Sequence, residues 1–91
     1  MIKLPQVQNM RSNKGNDIPN QFEIFTKEGK IFQSYSTVIC FIESKTRKIF
    51  LDPKYSYSNT TSKYRNQFLN MTTKEIEKKI KTGEIVVKNL N

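Results

Sequence analysis

Counted outward from Ser44-Lys45-Thr46-Arg47, the stretch "TVICFIESKTRKIFLD" places opposite charges and like side chains across from one another. Glu43 meets Lys48, Ile42 meets Ile49, Phe41 meets Phe50 and Cys40 meets Leu51. Pairs of these kinds stabilise neighbouring antiparallel strands, so the segment reads as a hairpin with its register set. The chain must therefore be built around a sheet. Just upstream, "QFEIFTKEGKIFQSY" has two alternating runs around Glu28-Gly29. Glycine accepts positive φ, which makes that dipeptide a candidate two-residue turn. This register pairs Lys27 with Lys30, Thr26 with Ile31, Phe25 with Phe32, Ile24 with Gln33 and Phe22 with Tyr35.

The two registers distribute apolar side chains unusually. Phe22, Ile24, Ile31 and Tyr35 share one face of the first hairpin, with Phe25 and Phe32 on the other. In the second, Cys40, Ile42, Ile49 and Leu51 oppose Phe41 and Phe50. A sheet with one buried face alternates apolar and polar residues, whereas this one carries apolar residues on both. Either helices cover one face and an N-terminal arm or added strand the other, or an aromatic face is left for a partner or a second copy.

The C-terminal third reads as helical and then extended. Ser58 or Asn59 can cap a helix running to Leu69, with Tyr64 and Phe68 one turn apart on its inner side. "TTKE" at 72–75 is a capping-box pattern. It opens the helix "TKEIEKKIKT", with Ile76 and Ile80 inward and Glu75–Lys79 and Glu77–Lys81 spaced for pairing outside. Gly83 is placed to end it, and "EIVVKNL" is a closing strand. "KLPQVQ" reads as a short edge strand with Pro5 at its start, and residues 9–20, rich in Asn, Gly, Pro and Ser, as a turn-rich loop. The expectation is a single α+β domain over residues 1–91. Two central hairpins, a C-terminal strand and an N-terminal edge strand form a small antiparallel sheet, packed with two short C-terminal helices.

Composition narrows the chemistry. The 91 residues contain no His, a single Cys and 16 Lys+Arg against 8 Asp+Glu, a net +8. General acid–base catalysis at neutral pH most often uses His, and no close carboxylate pair or metal-ligand spacing replaces it. Asp52, before Pro53, reads as a turn cap. Cys40, inside an apolar run, reads as a small buried hydrophobe. No phosphate loop is present. These features point to a protein that binds rather than catalyses, with no cofactor. No apolar run is long enough to cross a membrane, and the N-terminus lacks a signal-peptide pattern.

A positive field favours polyanions. Each half of the sequence carries +4 (eight cations less four acids in 1–50 and in 51–91), so the sequence itself shows no dedicated patch. One stretch is nonetheless distinctive. From Pro53 to Lys74 there is no acid, while Lys54, Lys63, Arg65 and Lys74 alternate with Tyr55, Tyr57 and Tyr64. Bases stack on rings while cations track phosphates, which suits nucleic acid. Lys63 and Arg65, flanking an inward Tyr64, are expected at the surface, and backbone N–H groups near Thr60 and Thr61 open the helix. Lys45, Arg47 and Lys48 at the second hairpin's tip add another basic feature.

"NMRSNKGND", "PNQF", "FQSY", "TTSKYRNQFL" and "KKIKTGE" together resemble a family of small uncharacterised proteins of phages and prophage-like regions, across about residues 7–90. The resemblance implies a phage setting, the cytoplasm of a bacterial host and a non-enzymatic accessory role; it assigns no site. Two functions then compete. One is nucleic-acid binding through phosphate contacts and aromatic stacking. The other is inhibition of a host protein such as a defence nuclease, with nucleotide sequestration a narrower variant.

Overall fold

The computed structural model describes residues 6–12 and 14–91. Six strands form one sheet whose spatial order follows the chain: β1 Gln6–Arg11, β2 Asp17–Phe25, β3 Gly29–Ser34, β4 Thr37–Glu43, β5 Ile49–Leu51 and β6 Ile85–Val87. Helices α1 Asn59–Leu69 and α2 Thr73–Thr82 lie between β5 and β6. The fold is α+β, as expected. All neighbouring strands are antiparallel except β5 and β6, which run parallel. A parallel pair cannot be joined by a tight turn, and the two helices supply the crossover.

The second hairpin has the register its side chains dictate, Cys40↔Leu51, Phe41↔Phe50 and Ile42↔Ile49, with the Phe41 and Phe50 rings stacked 6.1 Å apart. The first hairpin differs. Its turn is Lys27-Glu28, closed by reciprocal backbone bonds between Thr26 and Gly29, so Phe25 pairs with Lys30 and Ile24 with Ile31. The shift is two residues along one strand. Because side chains alternate with period two, Phe22, Ile24, Phe25, Ile31 and Phe32 keep their predicted faces, whereas Tyr35 falls past the end of β3 in a left-handed turn. Gly29 is drawn into the strand by the next one: a Cβ there would collide with the Ile42 carbonyl oxygen.

Residues 9–20 are largely strand rather than loop. Between Arg11 and Asp17 the Ser12 N–H donates to the Asn16 carbonyl and the Gly15 N–H to that of Ser12. Pro19 and a left-handed Asn20 (φ 63°) are accommodated by a register shift between Asn9 and Arg11. Pro5, the expected start of the edge strand, lies outside the described residues.

A bulge in β4 decides which face is which. Ser34↔Thr37 and Gln33↔Val38 give way to Phe32↔Cys40, leaving Ile39 as the extra residue. Ile39 and Cys40 are both fully buried in consequence. Beyond the bulge, Phe41 is turned to the side opposite Phe32.

Both helices cover the Phe32 side. Phe68 of α1 stacks on Phe32 at 5.7 Å, and Ile76 of α2 joins Met10, Ile18, Ile39, Cys40, Leu51, Leu69 and Ile85 in the core. Full burial of side chains such as Phe32, Leu51 and Ile76 contributes about 1.5–3 kcal/mol each. Ser58 caps α1, the Thr72–Glu75 box opens α2, and Gly83 (φ 84°) ends it. Lys79 pairs with Glu84 rather than Glu75, whose carboxylate turns back to Thr72. No Glu77–Lys81 pair forms among the described residues.

The C-terminal segment is tied across the end of the sheet. Asp52 Oδ1 accepts from the Leu90 N–H and the Asn91 amide, and Oδ2 from the Lys54 N–H, the turn-capping role expected of it. The Asn91 side chain also brackets Val38, accepting from its N–H at 2.8 Å and donating to its carbonyl at 3.0 Å.

Candidate interaction surfaces

The basic stretch around α1 loses its arginine to the interior. Arg65 is 0% exposed. Its Nη1 donates to the Tyr55 carbonyl at 2.7 Å, its Nη2 to Thr73 Oγ1 and Asn66 Oδ1, and its Nε to Asn66 Oδ1. The guanidinium also lies 5.5 Å from the centre of the Tyr55 ring. Every acceptor is neutral; the cation ties the Pro53–Ser58 turn to the start of α2. Burial lowers its pKa from the ordinary arginine value, partly offset by Cys40, Tyr55 and Glu77 nearby. Expected exposure is thus overturned, because Arg65 shares the innermost stripe of α1 with Thr61 and Leu69. Tyr64 and Phe68, the expected anchors, pack half-buried alongside it.

Thr61 is also corrected. Its hydroxyl is buried against Ser34 Oγ at 3.0 Å and its N–H is spent on the Ser58 cap, so it offers nothing to a phosphate. Tyr55 is half-buried against the core. Lys54, Thr60 and Lys63 are exposed, Tyr57 is 51% exposed, and the Lys63 ammonium sits 5.3 Å over Tyr64. Arg65 is withdrawn from beside these four into the core.

Cys40 is fully buried, and burial pushes its thiol well above its ordinary pKa, with the Arg65 charge pulling back part of the way. That leaves a thiol without nucleophilic character at neutral pH.

Lys45, Arg47 and Lys48 are exposed at the second hairpin's tip. The Ser44 N–H donates to the Glu28 carbonyl, which binds this tip to the first hairpin's turn and adds exposed Lys27 and Lys30 to the same end of the sheet. A shallow cleft of about 300 Å³ between them is lined by Lys27, Glu28, Glu43 and Lys45. The sequence alone missed Lys27 and Lys30 because only the pairing of β3 with β4 sets the two loops side by side.

The other surface is the helix-free face. Val7↔Ile24, Ile24↔Ile31, Ile31↔Phe41, Phe41↔Phe50 and Phe50↔Val86 form one unbroken cross-strand row through all six strands. Phe22 lies beside it. None of these residues belongs to the core or packs against it. Val7 is 61% exposed and the others half-buried. Lys88 crosses one border, its ammonium 4.4 Å over the Phe50 ring. The first hairpin contributes Ile24 and Ile31 and the second Phe41 and Phe50, a union that neither hairpin's pattern discloses.

Among the described residues, no helix is long and apolar enough to cross a membrane. No curated protein and no solved structure matches the chain. One family model matches residues 6–84. The chain belongs to that family, described as a family of unknown function, DUF8033.

Proposed function

We propose that this chain is a non-catalytic binding module that docks on an acidic partner protein through the helix-free face of its sheet. The observation that carries the reading is the six-strand apolar row from Val7 to Val86, placed where no helix covers it. With strands about 4.8 Å apart, the row is roughly 24 Å long. A chain this small gains little by leaving rings in water, and contiguous apolar patches of this kind mark interaction sites. A row about 24 Å long and about 7 Å deep is a small part of the roughly 800 Å² each partner contributes to a standard interface. The remainder must come from its borders, where Lys88 stands over Phe50. A net charge of +8 opposes a second copy and favours a partner carrying carboxylates around an apolar centre. The resemblance to phage and prophage proteins supports an accessory role in a bacterial host cytoplasm, and blocking a host protein such as a defence nuclease is an outcome this surface suits.

The test places a photo-crosslinking side chain at Val7, Ile31 or Phe50, and at Thr60 or Lys78 as controls, in nuclease-treated bacterial lysate. The expected result is one acidic protein crosslinked from the sheet positions alone. Once purified, it should bind Ile31→Thr/Phe50→Thr at least about 30-fold more weakly, a loss of about 2 kcal/mol that matches truncating two interface anchors. Threonine keeps the strand propensity, so the variant remains folded. Crosslinks to a second copy alone, with a dimer in sedimentation, overturn the reading. So does equal crosslinking from the control positions.

A further inference from the structure

The end of the sheet where the two hairpin tips meet is independent of the apolar face. Lys27, Lys30, Lys45, Arg47 and Lys48 stand there with only Glu28 and Glu43, a local +3 (five cations less two carboxylates). Both ion pairs among the described residues, Arg11–Asp17 and Lys79–Glu84, lie elsewhere. Glu43 is occupied, its Oε1 accepting from the Thr46 hydroxyl at 2.6 Å. The scaffold is well defined. The Glu43 N–H donates to the Lys48 carbonyl, the Arg47 N–H to the Glu43 carbonyl, and the Ser44 N–H joins the loops through Glu28.

Arg47 supplies a second observation. Its φ of 61° lies in the left-handed region, a position Gly fills without strain and Asn fills readily. An arginine here strains the turn and keeps a guanidinium on the exposed loop. Strain retained in an exposed loop is a pointer to use rather than to packing.

We infer that the joined tips form a nucleic-acid site that holds the phosphate backbone without reading sequence. The chemistry is that of phosphodiester oxygens met by Arg47 and by the lysines around it. Among the described residues the tip exposes no large apolar side chain: Val7, Tyr35, Tyr57 and Val87, the exposed large hydrophobics among them, all lie outside it. An acidic protein would find no anchor there, and a membrane surface no second signal to hold it. Nucleic acid needs neither, because displaced counterions supply the affinity.

The experiment measures fluorescence anisotropy of labelled single-stranded and duplex oligonucleotides with the full chain, against salt. Three or four phosphate contacts give a log–log slope of about −2 to −3, a loss of about 15- to 60-fold in affinity between about 50 and 200 mM salt. Arg47→Gly should lower the slope by about one unit and leave the urea midpoint unchanged or raised, since it relieves the turn. Lys45→Gln/Lys48→Gln should lower it by about two units. Lys54→Gln/Lys63→Gln, around α1, should change affinity by less than about twofold, and Ile31→Thr/Phe50→Thr not at all. The inference fails if no oligonucleotide binds, if the α1 pair matters as much as the tip pair, or if anionic vesicles bind as tightly with the same dependence on Arg47. An unfolded Arg47→Gly leaves the lysine pair to decide.

Discussion

Arg65 shows how a residue can be misread when only apolar periodicity is followed. Tyr64 and Phe68 stand out in the sequence as an inward pair. The stripe that is innermost is Thr61, Arg65 and Leu69, one residue further round. A hydroxyl and a guanidinium do not register as core in any hydrophobic count, and only the Tyr55 carbonyl and the Thr73 and Asn66 side chains, brought close by the fold, explain their burial. Lysine cannot reproduce that fork of donors. Arg65→Lys should lower stability by about 2–3 kcal/mol in urea unfolding, while Lys63→Gln on the exposed side stays within about 0.5 kcal/mol. Asp52 was legible as a turn cap, but its grip on Leu90 and Asn91 was not, since those partners lie far along the chain. The carboxylate is 3% exposed. Burial would raise its pKa, but the N–H groups of Leu90 and Lys54, the Asn91 amide and the Lys54 charge outweigh it and hold the group below the usual carboxylate value. A depressed native pKa contributes stability that is complete above the unfolded value of about 3.9 and is lost as pH falls through the native one. The stability gap between wild type and Asp52→Asn should therefore be constant from neutral pH down to about 5. It should close only below about 4, a pattern chemical denaturation at a series of pH values would reveal.

At the level of elements, legibility tracked how much information each connection carries in its own side chains. The β4–β5 hairpin announces its register because a charge pair and an aromatic pair both agree with it. The capping box and Gly83 place α2 for the same reason: each signal sits within the element it defines. Glu28-Gly29 was a sound turn by local chemistry, yet the turn is Lys27-Glu28, because what Gly29 satisfies is a contact with Ile42 on the neighbouring strand. The bulge at Ile39 is a property of pairing, and nothing in "TVICFI" announces it. Gly29→Ala tests the first of these directly. A methyl group there meets the Ile42 carbonyl, so the variant should lose about 2–3 kcal/mol by thermal or urea unfolding, and it should loosen the joined tips as well.

At the scale of the whole molecule, sequence and structure disagree most usefully over charge. Both halves of the chain carry +4, which reads as evenness. Folding lays Lys27 and Lys30 of one hairpin beside Lys45, Arg47 and Lys48 of the next, and an even sequence becomes an uneven solid. Hydrophobicity is redistributed in the same way: apolar residues were visible on both sides of each hairpin, but the shared row through six strands exists only after the strands are ordered. The parallel join of β5 and β6 has a last consequence, for the sequence of events in folding. The first five strands each pair with the one made just before, so that part of the sheet can grow like a zip from short-range contacts. Ile85–Val87 has no such neighbour and can join β5 only after α1 and α2 have carried the chain back across the sheet. The final strand is thus the latch of the molecule, the last piece to close.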